Sequence, residues 1–302
     1  MAATTTIKVP HLGGITAGYR LSGTGVDPAK PTFVLINSMC TTSSLYEAQF
    51  KSKSLTGVVN LLAIEPLGHG ATSCTSEHFT YWDSAIMALQ VLDALNIKKA
   101  YALGTSQGGW IIVRMALLAP DRILGLLPLG TSMDYESATS REKGCWDPKT
   151  SLQGFIDAWT STVPTPNFII DEAWRDSVAR LGFSEDTSAE TLAFWDETIK
   201  NVYSGEEGRK KVRMATLNLL HRDGLLARLG DVKCPVYWLQ GPEDPVYGKI
   251  VPTEHIKLFT SSPDATVTFV EGAGHYLNAT HPKETEEAIL KMVQNYSWQH
   301  RL

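Results

Sequence analysis

The sequence has no long run of Lys and Arg, no apolar stretch long enough to span a bilayer and no Cys-x-x-Cys pair. Each absence excludes something. A formal net charge of −5 without a basic tract gives no electrostatic reason to bind nucleic acid. The longest apolar runs, Phe33–Ile36 and Ile123–Leu127, have the length of strands, so no membrane span is expected. Four scattered cysteines, Cys40, Cys74, Cys145 and Cys234, form neither a zinc pattern nor a disulfide framework, and they suit a reducing compartment. The first residues, Met1-Ala-Ala-Thr-Thr-Thr, lack the charged and apolar regions of a signal peptide. A cytoplasmic location is the expectation. Internal repeats and low-complexity tracts are also missing.

What is present is an ordinary globular composition, with 43% hydrophobic and 20% charged residues. Short β-branched runs alternate with longer amphipathic ones. Strands are expected at Thr32–Ile36, Val59–Ile64, Ala100–Leu103 and Ile123–Leu129, with helices at Tyr81–Leu95 and Gln107–Leu118. Pro120 stops the second helix. This alternation predicts an α/β fold with a mostly parallel central sheet and helices on both faces. From about Met133 to Leu229 the pattern is helical only, and this insertion holds four of the eight tryptophans. The α/β rhythm returns with strands at Pro235–Gln240 and Thr266–Val270, and with helices near Thr253–Phe259 and Pro282–Asn295. The division expected is a core of residues 1–132 and 230–302 interrupted by a helical insertion at 133–229.

Gly104-Thr105-Ser106-Gln107-Gly108 lies between an expected strand and an expected helix. This is the Gly-x-Ser-x-Gly elbow in the setting its geometry requires. Side chains at Gly104 and Gly108 would collide with the adjoining helix and strand. The tight turn lifts the Ser106 hydroxyl above the sheet and sets the Gln107 N–H at the positive end of a helix, where it can meet an oxyanion. A serine hydroxyl needs a base, and the base needs an acid. His275 follows the last strand in a glycine-rich loop, expected to be flexible and exposed. Asp244 follows the preceding strand, and the order Ser, Asp, His fits. Glu243 and Asp134 are alternative acids. The second oxyanion donor is expected in the loop after Thr32–Ile36, at the Met39 N–H. Cys40 beside it reads as a small packing residue with no charged neighbour to activate its thiol.

Together these residues resemble the α/β-hydrolase superfamily over nearly the whole chain. Asn37-Ser38-Met39 and Glu65-Pro-Leu-Gly-His-Gly-Ala-Thr72 are similar to the 3-oxoadipate enol-lactonase branch. Glu65 replaces that branch's Asp, and Cys40 replaces a Gly common in it. The resemblance implies that the helical insertion is a lid over the serine, that no cofactor is needed and that His69 supports the sheet edge. No metal is expected. The reading is a serine hydrolase cleaving a small or medium organic ester or lactone. Thioesterase, C–C bond hydrolase, perhydrolase, acyltransferase and ligand-receptor readings stay open, and oligomeric state is undecided.

Overall fold

The computed structural model describes residues 4–183 and 187–296. Its centre is a nine-stranded sheet: β1 (Thr5–Val9), β2 (Ile15–Leu21), β3 (Thr32–Ile36), β4 (Asn60–Ile64), β5 (Ser73–Cys74), β6 (Ala100–Thr105), β7 (Ile123–Leu129), β8 (Val236–Gln240) and β9 (Ala265–Phe269). The spatial order is β1-β2-β4-β3-β6-β7-β8-β9, with β5 paired to β2. From β4 to β9 every pairing is parallel, whereas β1 and β2 add antiparallel strands at one edge.

β3 and β4 are buried along their whole length, which explains their unbroken apolar runs. Alternation divides their side chains between two cores. Val34, Ile36, Leu62 and Ile64 face the core beneath the helices Tyr81–Ala94 and Gln107–Leu118. Phe33, Leu35, Leu61 and Ala63 face the opposite core, closed by Ile289 and Met292 of the helix Pro282–Asn295. Thr80 and Asp83 cap the helix Tyr81–Ala94 reciprocally, satisfying its first free amides.

Between β7 and β8 the described residues hold helices and no strand. These are Ala138–Glu142, Pro148–Ala158, Glu172–Gly182, Ala189–Tyr203 and Gly205–Leu220, followed by a short 3-10 turn at Leu226–Asp231. The region expected to be one helix near Thr253–Phe259 is an α-helix at Ile250–His255 that tightens into a 3-10 turn at Ile256–Leu258. Among the described residues, no helix is long and apolar enough to cross a membrane.

Candidate active site

The parallel strands all end at one edge of the sheet, and the loops leaving β3, β6, β8 and β9 build the site there. Ser106 follows β6 and caps the helix Gln107–Leu118 with φ 55° and ψ −121°. Such a conformation is costly for a residue with a side chain. The two glycines make the turn possible. A Cβ on Gly104 would fall 2.1 Å from the Gly108 carbonyl oxygen, and one on Gly108 would fall 2.1 Å from that of Ile36. The elbow is therefore wedged between its own helix and the end of β3.

The loop after β9 brings His275 to the same place. Its Nδ1 lies 3.0 Å from Asp244 Oδ2 and 3.1 Å from Oδ1. The expectation of an exposed loop needs correction. Glu271 and Gly272 are exposed, but His275 is only 3% exposed, because Tyr247 and Tyr276 pack their rings beside it. Asp244 has further donors. The Val246 amide reaches Oδ1 at 2.8 Å, and the Gln240 side-chain amide reaches Oδ2 at 2.8 Å. Burial alone would raise the Asp244 carboxyl, but the adjoining His275 ring and these hydrogen bonds outweigh it and hold it below the usual range. With Nδ1–H donated to a carboxylate, the other ring nitrogen of His275 carries a lone pair.

The alternative acids are placed elsewhere. Asp134 accepts hydrogen bonds from Ser137 and Ser140 at 2.5 and 2.6 Å, and Glu243 is exposed.

Met39 and Ser38, from the loop after β3, share a cavity wall with Ser106 and His275. Asn37 shapes this loop, its amide donating to the Thr41 and Ser38 carbonyls at 2.8 and 3.1 Å. Cys40 sits in the left-handed region, φ 54°, a conformation that favours glycine. Burial pushes its thiol up to about 12, so it is not a ready nucleophile. Among the described residues, neither the Met39 nor the Gln107 amide has an acceptor within the protein.

One network has no signature in the sequence. The Gln107 side chain, at the variable position of the elbow, donates to His69 Nε2 at 2.9 Å and accepts from the Tyr81 hydroxyl at 3.1 Å. His69 in turn donates from Nδ1 to the Leu67 carbonyl at 3.0 Å. Burial holds His69 down at about 4, so it is a neutral acceptor near pH 7. His69 thus holds the side chain of the residue that follows Ser106. Glu65 accepts from the Ser43 and Ala71 amides at 2.9 and 2.7 Å and ties this turn to the loop after β3.

The cavity over Ser106 has a volume of about 290 Å³. Trp146, Leu152, Phe155, Trp174, Val178 and Leu219 supply the wall opposite the sheet, all from the helical segment between β7 and β8. The other two tryptophans of that segment lie apart from it. Trp159 donates to Asp171, and Trp195 packs against Phe183. Ser151, Ala173 and Ser177 are exposed helix residues on the cavity margin, so the mouth opens between Pro148–Ala158 and Glu172–Gly182.

The sequence pattern of the alpha/beta hydrolase family matches residues 33–288, and the chain belongs to that family. Among characterised proteins it is similar to the dihydrolipoyllysine-residue acetyltransferase component of the acetoin cleaving system of Pseudomonas putida. That match is 22% identical and spans 94% of this chain and 68% of the relative. Two solved structures share the fold. A hydrolase from Pseudomonas aeruginosa PA01 superposes with a TM-score of 0.73 at 23% identity, covering 95% of this chain and 98% of that one. The enol-lactonase from Burkholderia xenovorans LB400 gives 0.66 at 18% identity, covering 95% and 100%. At such identities the likeness is one of fold, and the chemistry must be argued from the site itself.

Proposed function

We propose that the protein is a serine hydrolase that cleaves a small or medium organic ester or lactone through an acyl-enzyme. The observation that carries this reading is the meeting of the strained Ser106 elbow and the His275–Asp244 pair at one cavity. In the proposed reaction His275 takes the Ser106 proton as Oγ attacks the substrate carbonyl. Asp244 holds the imidazole in the required tautomer and stabilises its cation. The free amides of Met39 and Gln107 receive the oxyanion, each lowering the barrier by about 3 kcal/mol. His275 then protonates the leaving group and activates the water that releases the acid. The core, residues 1–132 and 230–302, supplies this chemistry, and segment 133–229 acts as a lid that excludes water and shapes the substrate. No step calls for a cofactor or metal. A cavity of about 290 Å³ lies at the small end of ligand sites, which supports a compact organic substrate over a polymer.

The test is hydrolysis of a panel of p-nitrophenyl esters and small lactones by wild type and Ser106→Ala in parallel. Turnover that disappears in the variant supports the proposal. Turnover that survives in a folded variant, or a wild type inert toward the whole panel, overturns it.

A further inference from the structure

Three hydroxyl donors of the cavity wall are committed to backbone carbonyls of the protein. Ser151 and Ser177 spend their hydroxyl protons on backbone carbonyls of Asp147 and Trp174, each at 3.0 Å. The Tyr276 hydroxyl points to the Val178 carbonyl at 3.3 Å. The buried indole N–H groups of Trp146 and Trp174 have no acceptor in the protein. The Tyr247 hydroxyl faces Glu136. Apolar side chains, among them Leu152, Phe155, Val178, Leu181, Leu219 and Val246, make up most of the lining.

Charge follows the same pattern. Among the described residues lining the cavity there is no Lys or Arg. One buried cation, Arg222, lies in the layer behind Trp146 and Tyr247. It is consumed by an ion pair with buried Glu136, and its guanidinium also sits 4.3 Å from the Trp110 ring centroid. Asp244 is the other buried charge beside the site, and it too is negative. A carboxylate carried into this cavity by a substrate would lose water and meet no cation to neutralise it.

We infer that the cavity selects esters whose bound group is uncharged and apolar, and that it rejects esters bearing a second, ionised carboxyl. This rests on reading the cavity as the ester site, and it narrows the substrate class: dicarboxylic half-esters and lactones with a free carboxylate are excluded.

The experiment compares methyl hexanoate with monomethyl adipate, which differ only in a terminal methyl against a carboxylate. Methanol release by wild type at pH 8 gives kcat/KM for each. A preference of about a hundredfold or more for the neutral ester is expected, given the cost of an unpaired buried carboxylate. Comparable values, or a preference for the half-ester, overturn the inference. A second readout needs no turnover: calorimetric binding of both esters to Ser106→Ala. Binding of the neutral ester with no measurable binding of the half-ester supports the selectivity, even if wild type hydrolyses neither, in which case only the hydrolase proposal fails. Equal binding of the two overturns the selectivity, whatever the catalytic result.

Discussion

Asp244→Asn removes one charge and replaces one oxygen by an amide nitrogen, and the surroundings dictate where that nitrogen must go. Three donors converge on the carboxylate: the Val246 backbone N–H, the Gln240 side-chain amide and His275 Nδ1. A single asparagine oxygen cannot serve all three. The Val246 amide cannot turn away, so it keeps the oxygen. The new NH2 then faces Gln240 and His275. Gln240 cannot simply invert its amide, because its own oxygen already accepts from the Thr131 amide and the Trp238 indole, both at 3.3 Å. The NH2 also takes the place of Oδ2, the nearer of the two oxygens to His275 Nδ1 at 3.0 Å against 3.1 Å, and it favours the tautomer in which Nδ1 accepts and the proton sits on the nitrogen meant to receive the one from Ser106. A wrong tautomer of this kind costs about 10⁴ in kcat, close to 5 kcal/mol of barrier. The amide nitrogen left facing Gln240 costs about 1–3 kcal/mol of stability, as a buried donor without an acceptor. Ester hydrolysis at saturating substrate, with urea denaturation alongside, reads both effects. A kcat loss below about tenfold in a folded variant would refute the argument, since it would mean that His275 is oriented without Asp244. Asp134→Asn is the control and should retain near wild-type turnover.

Gly108→Ala should lower stability by more than about 3 kcal/mol or prevent soluble expression, because the new Cβ meets the Ile36 carbonyl at 2.1 Å; denaturation within 1 kcal/mol of wild type, on the order of an ordinary surface change, would contradict the wedge. Ser106→Gly should be inactive but more stable than Ser106→Ala by about 1 kcal/mol, since φ 55° favours glycine; equal urea midpoints would argue against strain at the elbow. Burial holds both His69 and His255 at about 4, below the usual 6.5. Their stabilising contribution is therefore complete above pH 6.5 and is lost as the pH falls toward 4. The loss reaches about 2 kcal/mol per histidine at pH 5. The urea midpoint should fall between pH 7.5 and pH 5, and His69→Gln should soften that fall; an unchanged midpoint would refute it.

Much of this molecule is legible in its sequence. The inner strand β3 matches its unbroken apolar run because it is buried on both faces, and the helix Pro282–Asn295 matches its apolar stripe because only one face, with Ile289 and Met292, is buried. The edge pair β1 and β2 is not foreseen. β1 is mostly exposed, and β2 carries Gly18 and Arg20, so neither shows a clean apolar rhythm. At the site, the elbow is readable because sterics demand glycines at fixed spacing. The acid is narrowed by strand order but singled out geometrically only by the His275 contact. The links from Gln107 to His69 and from Gln240 to Asp244 leave no trace in spacing, because they join side chains from separate strand ends. Nor does the sequence distinguish Trp146 and Trp174, on the cavity wall, from Trp159 and Trp195, in the helical packing.

The most direct test of the proposed chemistry is active-site labelling with a fluorophosphonate, followed by peptide mass mapping. A single stoichiometric adduct on Ser106, much slower to form in His275→Ala and missing from folded Ser106→Ala, is the result the mechanism predicts. A wild type that stays unlabelled, or an adduct on another residue that persists in Ser106→Ala, would contradict it.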